Sequence, residues 1–158
     1  MNRGSIHFLR AVLVFVGIGA LGFLLWEPHL EGRNAHATLF EIYFKDPFLA
    51  YVYCASIPFF VGLYHAFKVL GHAGRDEHFT PSAVRSLRTI KFCAIALVGL
   101  VAVALGIIMS IEGEDRAGGV VIGLAIALAS VVVATAMAVL ERAWQSAVDI
   151  KSESDLTI

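Results

Sequence analysis

Four apolar stretches, at residues 11–26, 48–70, 92–111 and 117–140, take up most of this 158-residue chain. A bilayer core about 30 Å thick needs about 20 predominantly apolar residues for a helix to cross it. Inside lipid every backbone amide and carbonyl must find its partner within the segment, so each stretch is predicted to be a membrane-spanning helix. With 58% hydrophobic residues and a mean hydropathy of +0.78, the chain has too little polar surface to hide four such helices from water. The predicted fold class is therefore all-α, an integral membrane four-helix bundle. Helices are expected at about 8–26, 48–70, 81–111 and 117–148, in a single membrane domain covering 1–158 with a short cytoplasmic tail at 149–158.

The first stretch has some marks of a secretory leader. Arg3 and Arg10 precede it, and Ala35-His36-Ala37 has the small-x-small form of a cleavage site. However, Glu27, Pro28, Glu31 and Arg33 separate that site from the apolar run by too long a polar stretch. The first helix is read as an uncleaved span. Charge then orients the whole. Arg3, Arg10, Lys68, Arg75, Arg85, Arg88, Lys91, Arg142 and Lys151, nine of the 12 basic residues, fall on the side shared by the N-terminus, the second connection and the tail. Only Arg33, Lys45 and Arg116 lie opposite. Basic residues near spans are retained in the cytoplasm, so both termini are predicted to be cytoplasmic. The acidic third connection, with Glu112, Glu114 and Asp115, agrees with this orientation.

The four helices differ in kind. The fourth carries Gly119-x-x-x-Gly123-x-x-x-Ala127, followed by Ser130 and Ala134. Lipid gives little hydrophobic drive between helices, so small residues that let backbones approach are what associate them. The band is expected to pack on the third helix, against Ala94, Ala102 and Gly106. The alternative is a homodimer contact. The second helix is the polar one, with Tyr51, Tyr53, Ser56, Pro58, Gly62, Tyr64, His65 and Lys68. Pro58 removes one backbone donor, and Ser56 or a neighbouring helix is expected to satisfy the freed carbonyl. Tyr51, Tyr53, Tyr64 and Lys68 read as interfacial anchors. Ser56, Tyr64 and His65 are the polar intramembrane candidates, with His65 either a proton-sensitive group or a locally bonded residue near the headgroups. The third helix opens on Thr80 as N-cap and Pro81 at the first helical position. There Val84, Leu87 and Ile90 recur beside Arg85, Arg88 and Lys91, an amphipathic lead-in suited to an anionic leaflet or to an acidic cytosolic protein.

Little chemistry is spelled out elsewhere. His29, Glu31, His36 and Glu41 in the first loop are weak metal-ligand candidates, since their spacing matches no zinc motif. No metal or cofactor is expected. Leu39, Phe40, Ile42, Tyr43 and Phe44 of the same loop read as a segment on the membrane surface. Residues 71–78 form a mixed-charge turn without a phosphate cradle. Cys54 and Cys93 both lie in apolar helices, where a thiol behaves as a small hydrophobe. No nucleophile stands with a base, so the chain is expected to be no enzyme, and no direct contact with nucleic acid is expected either.

The ending, Asp149-Ile150-Lys151 through Asp155-Leu156-Thr157-Ile158, resembles the terminal signature of a bacterial family of small four-helix membrane proteins, domain of unknown function twenty-nine seventy-five. The resemblance extends to Ile57-Pro58-Phe59-Phe60, Leu63-Tyr64 and Lys68, and to Phe79, Val84, Leu87 and Ile90-Lys91-Phe92-Cys93. It implies a multi-pass protein of the bacterial plasma (inner) membrane, with no established activity, cofactor or catalytic residue. Members often look like partners of a small helix-turn-helix regulator encoded beside them, which implies a membrane-anchored modulator of transcription.

Two functions follow as expectations. The first is a non-enzymatic binding partner of a cytosolic transcription regulator. Its partner-binding candidates are Arg85, Arg88, Lys91, Asp149, Glu153, Asp155, Leu156 and Ile158, with the basic stripe and the acidic tail pairing as a weak, reversible latch. The second is a small-solute or ion transporter or channel using the polar face of the second helix. That requires several polar groups near the bilayer midplane, where only Ser56 and the Pro58 break are found.

Overall fold

The computed structural model describes residues 3–26, 38, 40, 47–73, 80–110 and 116–156, and all of these except Thr38 and Thr80 are helical. The helices are α1 (Arg3–Trp26), α2 (Pro47–Ala73), α3 (Pro81–Ser110) and α4 (Arg116–Leu156). All four are long and apolar enough to cross a membrane. Local chemistry sets several of their ends. Pro47 and Pro81 stand at first helical positions, where the missing amide proton costs nothing. Thr80 caps α3 as its sequence suggests: its Oγ1 accepts from the Ala83 amide at 3.3 Å and its carbonyl from the Val84 amide at 3.2 Å. Gly71 and His72, expected in a turn, are the last stretch of α2.

The bundle is open. Each helix packs on its neighbours in sequence, and no other pair shares more than marginal contact. The order across the molecule is therefore α1, α2, α3, α4, with α2 and α3 inside and α1 and α4 as the outer members. Neighbours run antiparallel. Gly17 meets Leu63 while Arg10 meets Gly71, Gly62 meets Cys93, and Gly123 meets Leu105. The start of α1, the end of α2, the start of α3 and the later part of α4 thus share one end of the molecule, which also carries most of the basic residues. We call it the basic end.

Most large apolar side chains face outward: Phe15 is 78% exposed and Leu128 68%. Such surface would drive aggregation in water, but it matches acyl chains without penalty. This is an integral, multi-pass membrane protein. What core exists is concentrated at the basic end, where Ile6, Ala73, Ala83, Val84, Leu87, Ile90 and Ala94 are all buried. The lead-in to α3 therefore does not lie with Val84, Leu87 and Ile90 on lipid, as its amphipathic pattern suggests. Those residues are buried within the protein.

Interhelical polar contacts hold the middle of the row. Tyr51 donates from its hydroxyl to the Leu100 carbonyl at 2.6 Å, and Tyr53 to the Leu24 carbonyl at 3.0 Å. Leu24 lies in the last turn of α1, where the carbonyl has no intrahelical donor. Both tyrosines thus tie α2 to its two neighbours. α2 continues through Pro58, and Ser56 donates to the Tyr53 carbonyl at 2.7 Å. That acceptor is one residue before the Cys54 carbonyl that proline frees.

Candidate functional site

The site begins with a geometric coincidence on α4. Gly119, Gly123, Ala127, Ser130, Ala134 and Met137 recur at three- and four-residue intervals, and the next step is Glu141. At about 100° per residue, 18 residues make five full turns, so Glu141 lies on the same face as Gly123. That face packs on α3. A side chain at Gly123 would meet Leu105 at 2.7 Å and Val101 at 3.6 Å, and one at Gly119 would meet Ile108 at 3.3 Å. The groove along the glycines therefore receives large side chains of α3. Gly106, expected to form a matching small band with Ala94 and Ala102, faces open space.

At the basic end the same face delivers Glu141 to the stripe on α3. The three stripe residues turn progressively inward. Arg85 is exposed, the Arg88 side chain is 52% exposed and the Lys91 side chain 22%. Glu141 itself is buried, at 8%. Arg88 Nε donates to Oε1 at 2.6 Å and Lys91 Nζ to Oε2 at 2.5 Å, so each carboxylate oxygen takes one cation. Lys91 also sits 5.0 Å from the centre of the Phe92 ring. The triad keeps one net positive charge beside Arg85. Its arrangement is suited to clamping two helices and to presenting a basic surface, and it holds no nucleophile.

Glu141 was not among the residues singled out from sequence. The signal was present, since it is the lone acid between Asp115 and Asp149 and lies on the glycine face. The tail residues are placed differently from the expected latch. α4 does not stop near residue 148 but runs unbroken to Leu156. A rigid helix rises about 1.5 Å per residue, which carries Asp149 roughly 12 Å along the axis from Glu141. Arg88 and Lys91 are matched by Glu141, and the Asp149 carboxylate accepts from Gln145 on its own helix at 2.9 Å. Glu153 is exposed on the same arm, Asp155 and Leu156 belong to its last turn, and Ile158 lies outside the described residues.

On α2, Lys68 Nζ lies 5.8 Å from the centre of the exposed Tyr64 ring, and that ring stands edge-on to His65 at 5.5 Å. His65 Nδ1 is buried without a hydrogen-bond partner. Cys54 is exposed and Cys93 packs beside Gly62, both as free thiols. Among the described residues no group of three histidine, cysteine or acidic side chains is placed to hold a metal ion. The candidates His29, Glu31, His36 and Glu41 all lie outside the described residues.

A family model described as "Protein of unknown function (DUF2975)" matches residues 33–158. The chain is also similar over its whole length, and over the whole length of the relative, to an "Uncharacterized membrane protein YoaS" of Bacillus subtilis (strain 168), with 37% identity over 160 residues. No solved structure matches.

Proposed function

Since the chain belongs to the DUF2975 family, whose description assigns no chemistry, we propose from its own geometry that it is a non-enzymatic, membrane-anchored binding partner of a cytosolic regulator of the helix-turn-helix kind. The observation that carries this reading is the length of α4. Its 41 residues make a helix roughly 62 Å long, about twice the hydrocarbon thickness. The apolar part ends at Leu140, and the remainder is a polar helical arm standing beyond the lipid. The charge asymmetry puts that arm, with Arg85 and the Glu141 triad at its base, in the cytoplasm of a bacterial cell beneath the plasma membrane.

The arm has the composition of a docking element. Ile150 is 67% exposed amid Asp149, Lys151 and Glu153, an apolar anchor with a charged rim. A helical arm of this sort is read by a groove that takes one face and matches the charges around it. The hydroxyls of Tyr51 and Tyr53 on α2, by comparison, are given to backbone carbonyls of α3 and α1, and that of Ser56 to a carbonyl of α2 itself. The two tyrosines hold helices together, and this favours the binding reading over transport.

The test is affinity capture of the tagged protein from its own membranes, full length and truncated after residue 148. The full chain is expected to retain a DNA-binding regulator that the truncated chain loses while still inserting. Identical partner sets for the two forms would refute the reading. Ile150→Lys in the full chain gives a finer check, with capture expected to fall to the truncated level.

A further inference from the structure

The two halves of the basic end differ in how their positive charge is met. On the α3–α4 side, Glu141 lies between Arg88 and Lys91. On the α1–α2 side, neither helix contains an aspartate or glutamate, although together they carry Arg3, Arg10 and Lys68. Arg10 shows the consequence. Its Nε is sealed from solvent and has no hydrogen-bond partner, and its guanidinium carbon sits 4.9 Å from the centre of the Phe67 ring. Nη2 lies over Gly71, so close that a Cβ there would stand 2.7 Å away. The guanidinium is thus drawn in against α2 by an aromatic face and a gap in the helix surface, with no carboxylate among the described residues to receive its donors.

A trough of about 330 Å³ begins at this arginine, lined by Arg10, Ala11, Val14, Phe15, Ile18 and Phe67. Apart from Arg10 its walls are apolar. It follows α1 from residue 10 to residue 18, about 12 Å along the helix axis toward the interior of the membrane. A cation at the level of the headgroups and an apolar channel running inward from it have the polarity of a phospholipid, phosphate outward and acyl chain inward. We propose that the α1–α2 face is a binding site for an anionic phospholipid. Arg10 receives the phosphate through charge-assisted hydrogen bonds, and the trough takes one acyl chain. The ligand supplies to α1 and α2 the negative charge that Glu141 supplies to α3 and α4. It also covers the outer helix that makes the least extensive contact with the rest of the protein.

The purified full-length protein in neutral detergent provides the test. Thermal stability and lipid retention by native mass spectrometry are measured with added phosphatidylglycerol, phosphatidylcholine or glycerol 3-phosphate. The wild-type chain is expected to bind phosphatidylglycerol about fivefold more tightly than phosphatidylcholine, the worth of one arginine near anionic lipid. Arg10→Gln should remove that preference. Val14→Trp, which fills the trough and leaves the cation, should weaken both lipids. Equal binding of the two lipids by the wild type would overturn the proposal without reference to any variant. So would a preference that survives Arg10→Gln. If glycerol 3-phosphate alone gave the full stabilisation, the site would be one for soluble phosphate esters and the assignment to a lipid would fall.

Discussion

Glu141 is the residue on which the α3–α4 pair depends most. Its two partners differ in what they can do without it. The half-exposed Arg88 side chain can swing into water, whereas Lys91 is mostly enclosed. Removing one member of a buried ion pair is costly because it strands the other charge, by about 3–5 kcal/mol. Glu141→Gln is therefore expected to lower stability in detergent by about 3 kcal/mol, and Arg88→Ala by much less, as read from denaturation monitored by circular dichroism. Equal losses would mean that the Arg88 contact, and not the enclosed Lys91, carries the dependence on the carboxylate. The tyrosine hydroxyls are worth less. Interhelical hydrogen bonds in membranes average about 0.6 kcal/mol. Tyr51→Phe and Tyr53→Phe should each cost about that amount, and additively, because their acceptors lie on different helices.

Between elements, the glycine face of α4 gives the clearest contrast. Gly123→Leu would force a side chain into space occupied by Leu105 and should separate α3 from α4. Ala125→Leu, on an exposed face of the same helix, should leave thermal stability nearly unchanged. Similar losses for both would place the packing face elsewhere. The four spans and the small-residue band were legible in the sequence because lipid imposes length and composition on any helix that crosses it. The band's partner helix was legible too, but the residues it meets there were not. Small residues were expected opposite small ones, but a groove is filled by bulk, and Leu105 and Ile108 supply it. For the same reason the stripe of Val84, Leu87 and Ile90 was readable as apolar while its cover was not. Periodicity identifies a face and is silent on whether lipid or protein lies against it. The acid that clamps the stripe escaped notice because a single glutamate at the edge of a span looks like any solvated end residue until its turn count relative to Gly123 is taken.

Across the whole molecule, the antiparallel row fixes which segments share an end, and the basic residues predict which side of the membrane that end faces. In a chain with Cys54 and Cys93 replaced by alanine, Thr38→Cys should react with an impermeant maleimide on intact cells. Ser152→Cys, exposed on the arm, should react only after the cells are opened. The reverse pattern would invert the topology and remove the arm from the cytoplasm. The row also explains why sequence could not tell an open arrangement from a closed ring. Both need four spans in the same order, and they differ in whether α1 meets α4, a contact that hydropathy along the chain does not report.

A helix that continues unbroken from inside a bilayer to well outside it is also a lever. Glu141, fastened to α3, stands where α4 leaves the apolar zone and so acts as the fulcrum. Spanning helices accommodate a change in bilayer thickness by changing tilt. With some 22 Å of arm beyond the fulcrum, a tilt change of about 10° displaces the far tip by about 4 Å. If the arm docks a partner, a change in bilayer thickness would reach the docking surface as a shift of about 2 Å at Ile150 and about twice that at the tip, carried by the rigidity of one helix.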